Sequence, residues 1–178
     1  MKIKMAFFSD EFEEALGESI TALKLGGLVL KDKQKAGLYA VTWKKQDCLC
    51  ILPTGFGKSL IFQLVPFVVD RLEKVSNSCV LVVSPLNAII SDQIEKLKEK
   101  GVGVKVFKES DQFSNLNIDD TVKFVYGHAE AFVGNQSVRT LLRSSFRDRV
   151  KAVVIDEAHF ILQWQELFNS GLSFRLCM

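Results

Sequence analysis

Apolar residues recur at helical spacing at Phe12, Ala15, Leu16, Ile20 and Leu23, and Gly26-Gly27 ends the pattern, so the chain is predicted to open with an amphipathic helix. A second helix is predicted over 33–45. Asp47 then gives way to the apolar run Cys48-Leu49-Cys50-Ile51-Leu52, which reads as a buried strand. Residues 58–75 have helical length and spacing despite Pro66, whose missing N–H predicts a kink or a local irregularity. A strand over 79–83 and a helix over 86–100 follow. Gly101 and Gly103 bracket the turn into a further strand at 104–107. Residues 108–120, rich in Ser, Asn and Asp, read as a surface loop. Beyond it come a strand at 122–126, a helix with basic faces at 137–149 and a β-branched strand at 150–155. Strands separated by helix-length segments predict an α/β fold, a parallel sheet sandwiched by helices.

Composition narrows this picture only a little. A length of 178 residues with 48% hydrophobic content suits one domain with a single sizeable core. The formal net charge is +2, so no overall field holds nucleic acid and any such contact must be local. Asp10, Glu11, Glu13 and Glu14 follow the apolar patch at 5–8 at once, a pattern unlike a signal peptide. The apolar stretches at 61–69 and 80–90 are broken by Gln63, Pro66, Ser84, Pro85 and Asn87, far short of the roughly 18 residues of a membrane span. The expectation is an intracellular protein without membrane contact. Of four cysteines, Cys48 and Cys50 alternate along one strand while Cys79 and Cys177 stand alone; with no second pair and no nearby histidine they are expected to be buried, reduced thiols.

The candidate chemistry centres on Pro53-Thr54-Gly55-Phe56-Gly57-Lys58-Ser59, set between the strand at 48–52 and the helix beginning at 58. Binding a triphosphate needs inward-facing backbone N–H groups, glycines that let the backbone approach, a lysine ammonium and a hydroxyl for Mg²⁺. Thr54, Gly55, Gly57, Lys58 and Ser59 supply these parts. The general Walker pattern would place a glycine where this chain has Leu52; the shorter form T-G-x-G-K-[ST] is common in helicases of the second superfamily, which the sequence resembles here.

About a hundred residues on, the strand 150–155 runs into Asp156-Glu157-Ala158-His159. Two acids at a strand end suit a hydrolytic nucleotide site, Asp156 holding the Mg²⁺ shell and Glu157 orienting and deprotonating the attacking water. Alone, the same residues could instead form a helix N-terminus with acids favoured by the dipole, the lesser of the two readings. Lys58 and Asp156 both follow strand carboxyl ends, where ligands gather in open α/β sheets.

The run Leu52 to Gln63 resembles the first motif of RecQ-type helicases, Val82 to Leu86 with Ser91-Asp92-Gln93 resembles the next, and Asp156 to His159 is similar to the DEAH box. The likeness covers roughly residues 20 to 168. It implies a RecA-like P-loop lobe that binds ATP and Mg²⁺, with Gln34 as the adenine-reading glutamine. It also implies a 3′-to-5′ motor on single-stranded or forked DNA, nuclear or chromosome-associated, serving repair and recombination. Ser84 and Pro85 would lie on the DNA path, Trp164 and Phe168 in the aromatic sensing loop, and His159 would couple the two sites. Gln165-Glu166-Leu167-Phe168-Asn169 departs from the family pattern, and Tyr126 to Glu130 matches it chiefly at Glu130.

From Asn169 onward the resemblance ends. The expectation is a first lobe over 1–168 with a divergent tail over 169–178, incomplete at the C-terminus and lacking the second lobe. The family's strand after the box lies between the strands leading to Lys58 and Asp156; its loss would leave a gap and a marginally stable sheet. Two other readings stay open: a truncated product that binds ATP or DNA without turnover, and an RNA helicase lobe of DEAD or DEAH type.

Overall fold

The computed structural model describes residues 8–84, 87–112, 118–156 and 176–177, with Asn87 to Ile90 and the last pair described by backbone alone. The chain forms α1 (Asp10–Ala22), α2 (Asp32–Thr42), β1 (Cys48–Leu49), α3 (Lys58–Glu73), β2 (Cys79–Val83), α4 (Asn87–Glu99) and β3 (Gly103–Phe107). It continues through β4 (Val122–Gly127), α5 (Ala129–Val133), α6 (Gln136–Leu141), α7 (Phe146–Arg149), β5 (Val150–Ile155) and β6 (Leu176–Cys177). The strands lie in the order β1-β6-β5-β2-β4-β3, every neighbouring pair parallel.

Period-two alternation divides the sheet's side chains between two layers. Val80, Val82, Phe124, Tyr126, Ala152 and Val154 share one core with the apolar faces of α1, α2 and α3. Cys79, Leu81, Val83, Val125 and Ile155 share the other with Phe132 of α5, Val138 of α6 and Phe146 of α7. All of β2 is buried, as expected of a central strand covered on both faces. The parallel, doubly covered sheet predicted from the pattern is therefore present.

Local chemistry sets the ends of the helices. Ser9 caps α1 by accepting a hydrogen bond from Phe12 N, and Asp10, Glu11 and Glu13 occupy the first turn where the dipole favours them. Helix α3 begins after Gly57, continues through Pro66 and ends at Lys74, whose φ of 54° is left-handed. Pro66 removes the N–H that the Phe62 carbonyl would accept, yet the buried face from Ile61 to Val69 keeps the helix going. Gly103 begins β3 because a Cβ there would stand 2.4 Å from the Thr121 carbonyl oxygen.

At the amino-terminal end of the sheet Arg149 gathers four backbone carbonyls. Nε donates to Asn77 O at 3.0 Å, Nη1 to Ile118 O at 3.1 Å, and Nη2 to Asp119 O at 3.0 Å and Val122 O at 3.2 Å. Nearby Lys123 pairs with Asp70, whose other oxygen accepts from Ser78 N at 3.0 Å. These contacts tie the entries of β2, β4 and β5 to one another and to α3.

Three expectations need correction. Among the described residues, the strand predicted over 48–52 pairs at Cys48 and Leu49, opposite Leu176 and Cys177. The helix predicted over 137–149 is two shorter helices, α6 and α7, with a turn of Leu142 to Ser145 between them; the preceding α5 was not anticipated. The third concerns the gap. Leu176–Cys177 lies parallel between β1 and β5, with Cys48 opposite Leu176 and Ile155 opposite Cys177. The tail thus supplies a strand where a vacancy was expected, and the argument for a marginally stable sheet loses its physical basis.

Candidate functional site

The loop between β1 and α3 turns sharply at two glycines. Gly55 has φ 75° and Gly57 φ 87°, left-handed values that L side chains rarely adopt, and Phe56 N closes the turn on Pro53 O at 3.1 Å. The first N–H groups of α3, at Lys58 and Ser59, lie beyond reach of intrahelical acceptors and carry the positive end of the dipole. A Cβ on Gly55 would meet nothing within 4 Å, so that side of the loop is open. Open backbone N–H groups beside a lysine are what a phosphate chain requires.

Gln34 holds this loop from beneath. Its side chain is 4% exposed; Oε1 accepts from Lys31 N at 2.9 Å, while Nε2 donates to the carbonyls of Phe56 and Gly57, both at 3.0 Å. A Cβ on Gly57 would stand 2.7 Å from that Nε2. The Lys31 ammonium sits 4.1 Å from the centre of the Phe56 ring, a second tie between α2's start and the loop. Gln34 in this conformation therefore braces the glycine loop, with its amide engaged at both ends.

Lys58 Nζ donates to the Leu52 carbonyl at 3.3 Å, folded back over the loop. Leu52 occupies the place where the general nucleotide-binding pattern has glycine; its side chain packs into the core and its carbonyl parks the lysine. Ser59 Oγ accepts from Gln93 Nε2 at 3.4 Å, and Gln93 Oε1 accepts from the Tyr126 hydroxyl, also at 3.4 Å. The Tyr126 phenol is pushed well above its usual pKa, first by burial and then by the negative charge of Asp156. A polar line thus runs from Ser59 through Gln93 on α4 and Tyr126 on β4 toward Asp156.

Asp156 is buried at the end of β5, its N–H bonded to Val83 O at 2.9 Å; Ser84 N bonds Gly127 O at 3.2 Å one strand over. The carboxyl ends of β5, β2 and β4 thus form one rim. β1, which leads into the glycine loop, is two strand spacings from β5, roughly 10 Å at the usual separation. Ser84 is buried at this rim, and Thr54 is exposed at the start of the loop. Pro85, Glu157, His159, Trp164 and Phe168 lie outside the described residues. Sequence reading noted Gln93 within a motif but gave it no role; a glutamine nearly two turns into the helix after a central strand was the available signal. Tyr126, inside a strand, gave none.

A family model described as DEAD/DEAH box helicase matches residues 31–173. The chain belongs to that family. Within it, the RecQ ATP-dependent DNA helicase of Synechocystis is 31% identical over 131 residues, 70% of this chain and 26% of that protein. RecQ of Bacillus subtilis is 29% identical over 158 residues, 85% of this chain and 25% of its own length. A crystal structure of the DUF1998 helicase MrfA bound to DNA and AMPPNP shares the fold, with a TM-score of 0.61 and 18% identity over 99% of this chain and 27% of that one. This helicase domain therefore resembles RecQ-type ATP-dependent DNA helicases, and it spans about a quarter of the length of these relatives. No helix among the described residues is long and apolar enough to cross a membrane.

Proposed function

We propose that this chain is the ATP-binding lobe of a DNA-stimulated ATPase of RecQ type. The observation that carries the reading is the glycine loop braced by Gln34 with Lys58 and Ser59 beside it, joined through Gln93 and Tyr126 to the rim that ends in Asp156. ATP would lie with its phosphates on Thr54, Gly55, Gly57, Lys58 and Ser59. On binding, the Lys58 ammonium would leave the Leu52 carbonyl for the outer phosphates, exchanging a neutral partner for a charged one. To read the adenine edge, Gln34 would exchange its bonds to Lys31 N and to the Phe56 and Gly57 carbonyls for bonds to the base.

The donor set suits Mg²⁺, a hard cation that takes a hydroxyl and a carboxylate at Ser59 and Asp156; such an ion neutralises charge on the outer phosphates. Gln93 would keep the Ser59 hydroxyl aimed at that position. Glu157 would orient and deprotonate water. Ser84 and Pro85 would meet one DNA strand, Trp164 and Phe168 would sense it, and His159 would report between the two sites. By its resemblance to RecQ-type helicases the lobe would act on chromosomal DNA, single-stranded or forked, with 3′-to-5′ polarity. By itself the lobe is expected to bind and to separate few or no base pairs, since a motor of this class completes its site with an arginine from a second lobe.

ATP hydrolysis measured with no nucleic acid, with single-stranded DNA and with single-stranded RNA tests the reading. Turnover raised by DNA more than by RNA and lost in Lys58→Ala is the expected result. Turnover that survives Lys58→Ala would overturn it; stimulation by RNA alone would favour an RNA motor, and nucleotide binding without turnover a non-catalytic module.

A further inference from the structure

The proposed nucleotide site makes no use of two thiols, Cys48 in β1 and Cys50 just beyond its end. Strand geometry puts Cys48 and Cys50 on one face, and their Sγ atoms lie 3.5 Å apart. Leu49 between them is 65% exposed. The shared face is seated on α2 at Gly37, where an added Cβ would stand 3.1 Å from Cys50 Sγ and 3.8 Å from Cys48 Sγ. Both sulfurs therefore occupy space that a glycine leaves, one helical turn after Gln34.

The two thiols are not equivalent. Cys48 is half-buried, whereas Cys50 is 8% exposed. Either sulfur can donate in this contact; with Cys50 as donor a thiolate on Cys48 is steadied and its pKa lowered to about 7, against the opposing effect of burial. The same bond, with burial, holds the proton on Cys50. A partly exposed cysteine thus sits in contact with a more deeply covered partner, the arrangement of an attacking and a resolving thiol.

We propose that Cys48 and Cys50 form a reversible dithiol–disulfide modification site, oxidised by a peroxide and reduced by a small-molecule thiol. The Cys48 thiolate attacks one peroxide oxygen, the O–O bond breaks, and the departing hydroxide takes up a proton and leaves as water. Cys50 then gives up its proton and attacks the sulfenic sulfur, expelling its hydroxyl as a second water and forming the S–S bond. Two thiols lose two hydrogens and two electrons, and the peroxide becomes two waters. Two equivalents of thiol reverse the change and leave as their own disulfide.

Bond formation must bend β1. An S–S bond of about 2.05 Å draws the sulfurs roughly 1.5 Å closer than they stand. Residues two apart in a strand have Cα atoms roughly 6.6 Å apart, near the upper limit that a disulfide spans, so the strand shortens. Leu52, whose carbonyl holds Lys58, follows Cys50 by two positions, and Gln34 lies on the helix against which the sulfurs pack. Shortening β1 therefore disturbs the phosphate loop from both sides, and oxidation lowers nucleotide affinity several-fold. That consequence rests on the ATP-binding reading; formation of the bond does not.

The full chain, reduced and then treated with hydrogen peroxide, is alkylated, digested with trypsin and mapped by mass spectrometry. The peptide 46–58 is expected without alkyl groups and lighter by two hydrogens, and dithiothreitol restores both alkylation sites. A fluorescent ATP analogue is expected to bind the oxidised chain several-fold more weakly than the reduced one, with Cys48→Ser unaffected by peroxide. Both thiols remaining open to alkylation after peroxide, or Cys48 found linked to Cys177 or to another molecule, would overturn the site. A disulfide that leaves affinity unchanged overturns the link to the loop. Failure of the reduced chain to bind the analogue would defeat the ATP reading, while the peptide map still decides the disulfide.

Discussion

Replacing Gly57 with alanine should cost the protein about three times what the same change costs at Gly55. Both positions are left-handed, at φ 87° and 75°, so each alanine carries a strain of about 1 kcal/mol. At Gly55 the new methyl meets nothing within 4 Å, and strain is the whole effect. At Gly57 it arrives 2.7 Å from Gln34 Nε2, which is buried and held by bonds of 3.0 Å to the Phe56 and Gly57 carbonyls. The amide must give up those two bonds, at about 1 kcal/mol each, for a total of about 3 kcal/mol. In a domain of this size 1 kcal/mol moves Tm by roughly 2–4 °C, so thermal melting should show a fall of roughly 2–4 °C for Gly55→Ala and roughly 6–12 °C for Gly57→Ala. Gln34→Ala removes the obstruction, and on that background Gly57→Ala should cost only the strain, a coupling of about 2 kcal/mol in the double-mutant cycle. Equal losses at the two glycines, or additivity in the cycle, would refute the brace.

Three further outcomes follow from the geometry. Arg149→Ala should destabilise the fold by about 2–4 kcal/mol in urea titration, since four carbonyls lose one charged donor; nucleotide affinity in the surviving native fraction should be unchanged. Glu73 is raised by partial burial but held below its usual pKa of 4.5 by Lys45 and Lys151, so its contribution is present above that value and lost as pH falls through the lowered one. Stability measured against pH should accordingly decline less steeply on the acid side in Glu73→Gln. Gln93→Ala frees the Ser59 hydroxyl to rotate and should raise the Mg²⁺ concentration for half-maximal ATP turnover several-fold; it also takes an acceptor from the buried Tyr126 hydroxyl, so Tm should fall by several degrees.

Much of the site was legible because its chemistry is local. A glycine loop between a strand and a helix must turn where φ is positive, and Gly55 and Gly57 do so at 75° and 87°, so the turn itself was readable from the chain alone. Gln34 was found as a family match and assigned to the base. Its position beneath the loop was not legible, because α2 meets residues 56 and 57 only when both pack on the sheet. The split of the helix predicted over 137–149 escaped for a similar reason: the positions of Val138 and Phe146 against β2 and β5 outweigh helical spacing.

The order of amino acids by itself determined the alternation of strand and helix, the two-faced burial of the central strands and the glycine turn before α3, because each depends on side chains within a few residues of one another. Tertiary structure alone decided which strand lies beside which. Leu176 and Cys177 carry no strong strand signal, yet they fill the space between β1 and β5, where two parallel edges present backbone donors and acceptors in register. The same packing brought Cys48 and Cys50 onto Gly37 and joined Ser59 to Tyr126 through Gln93. Hydrogen-bonding groups far apart in the chain become partners only once the sheet has set their distance.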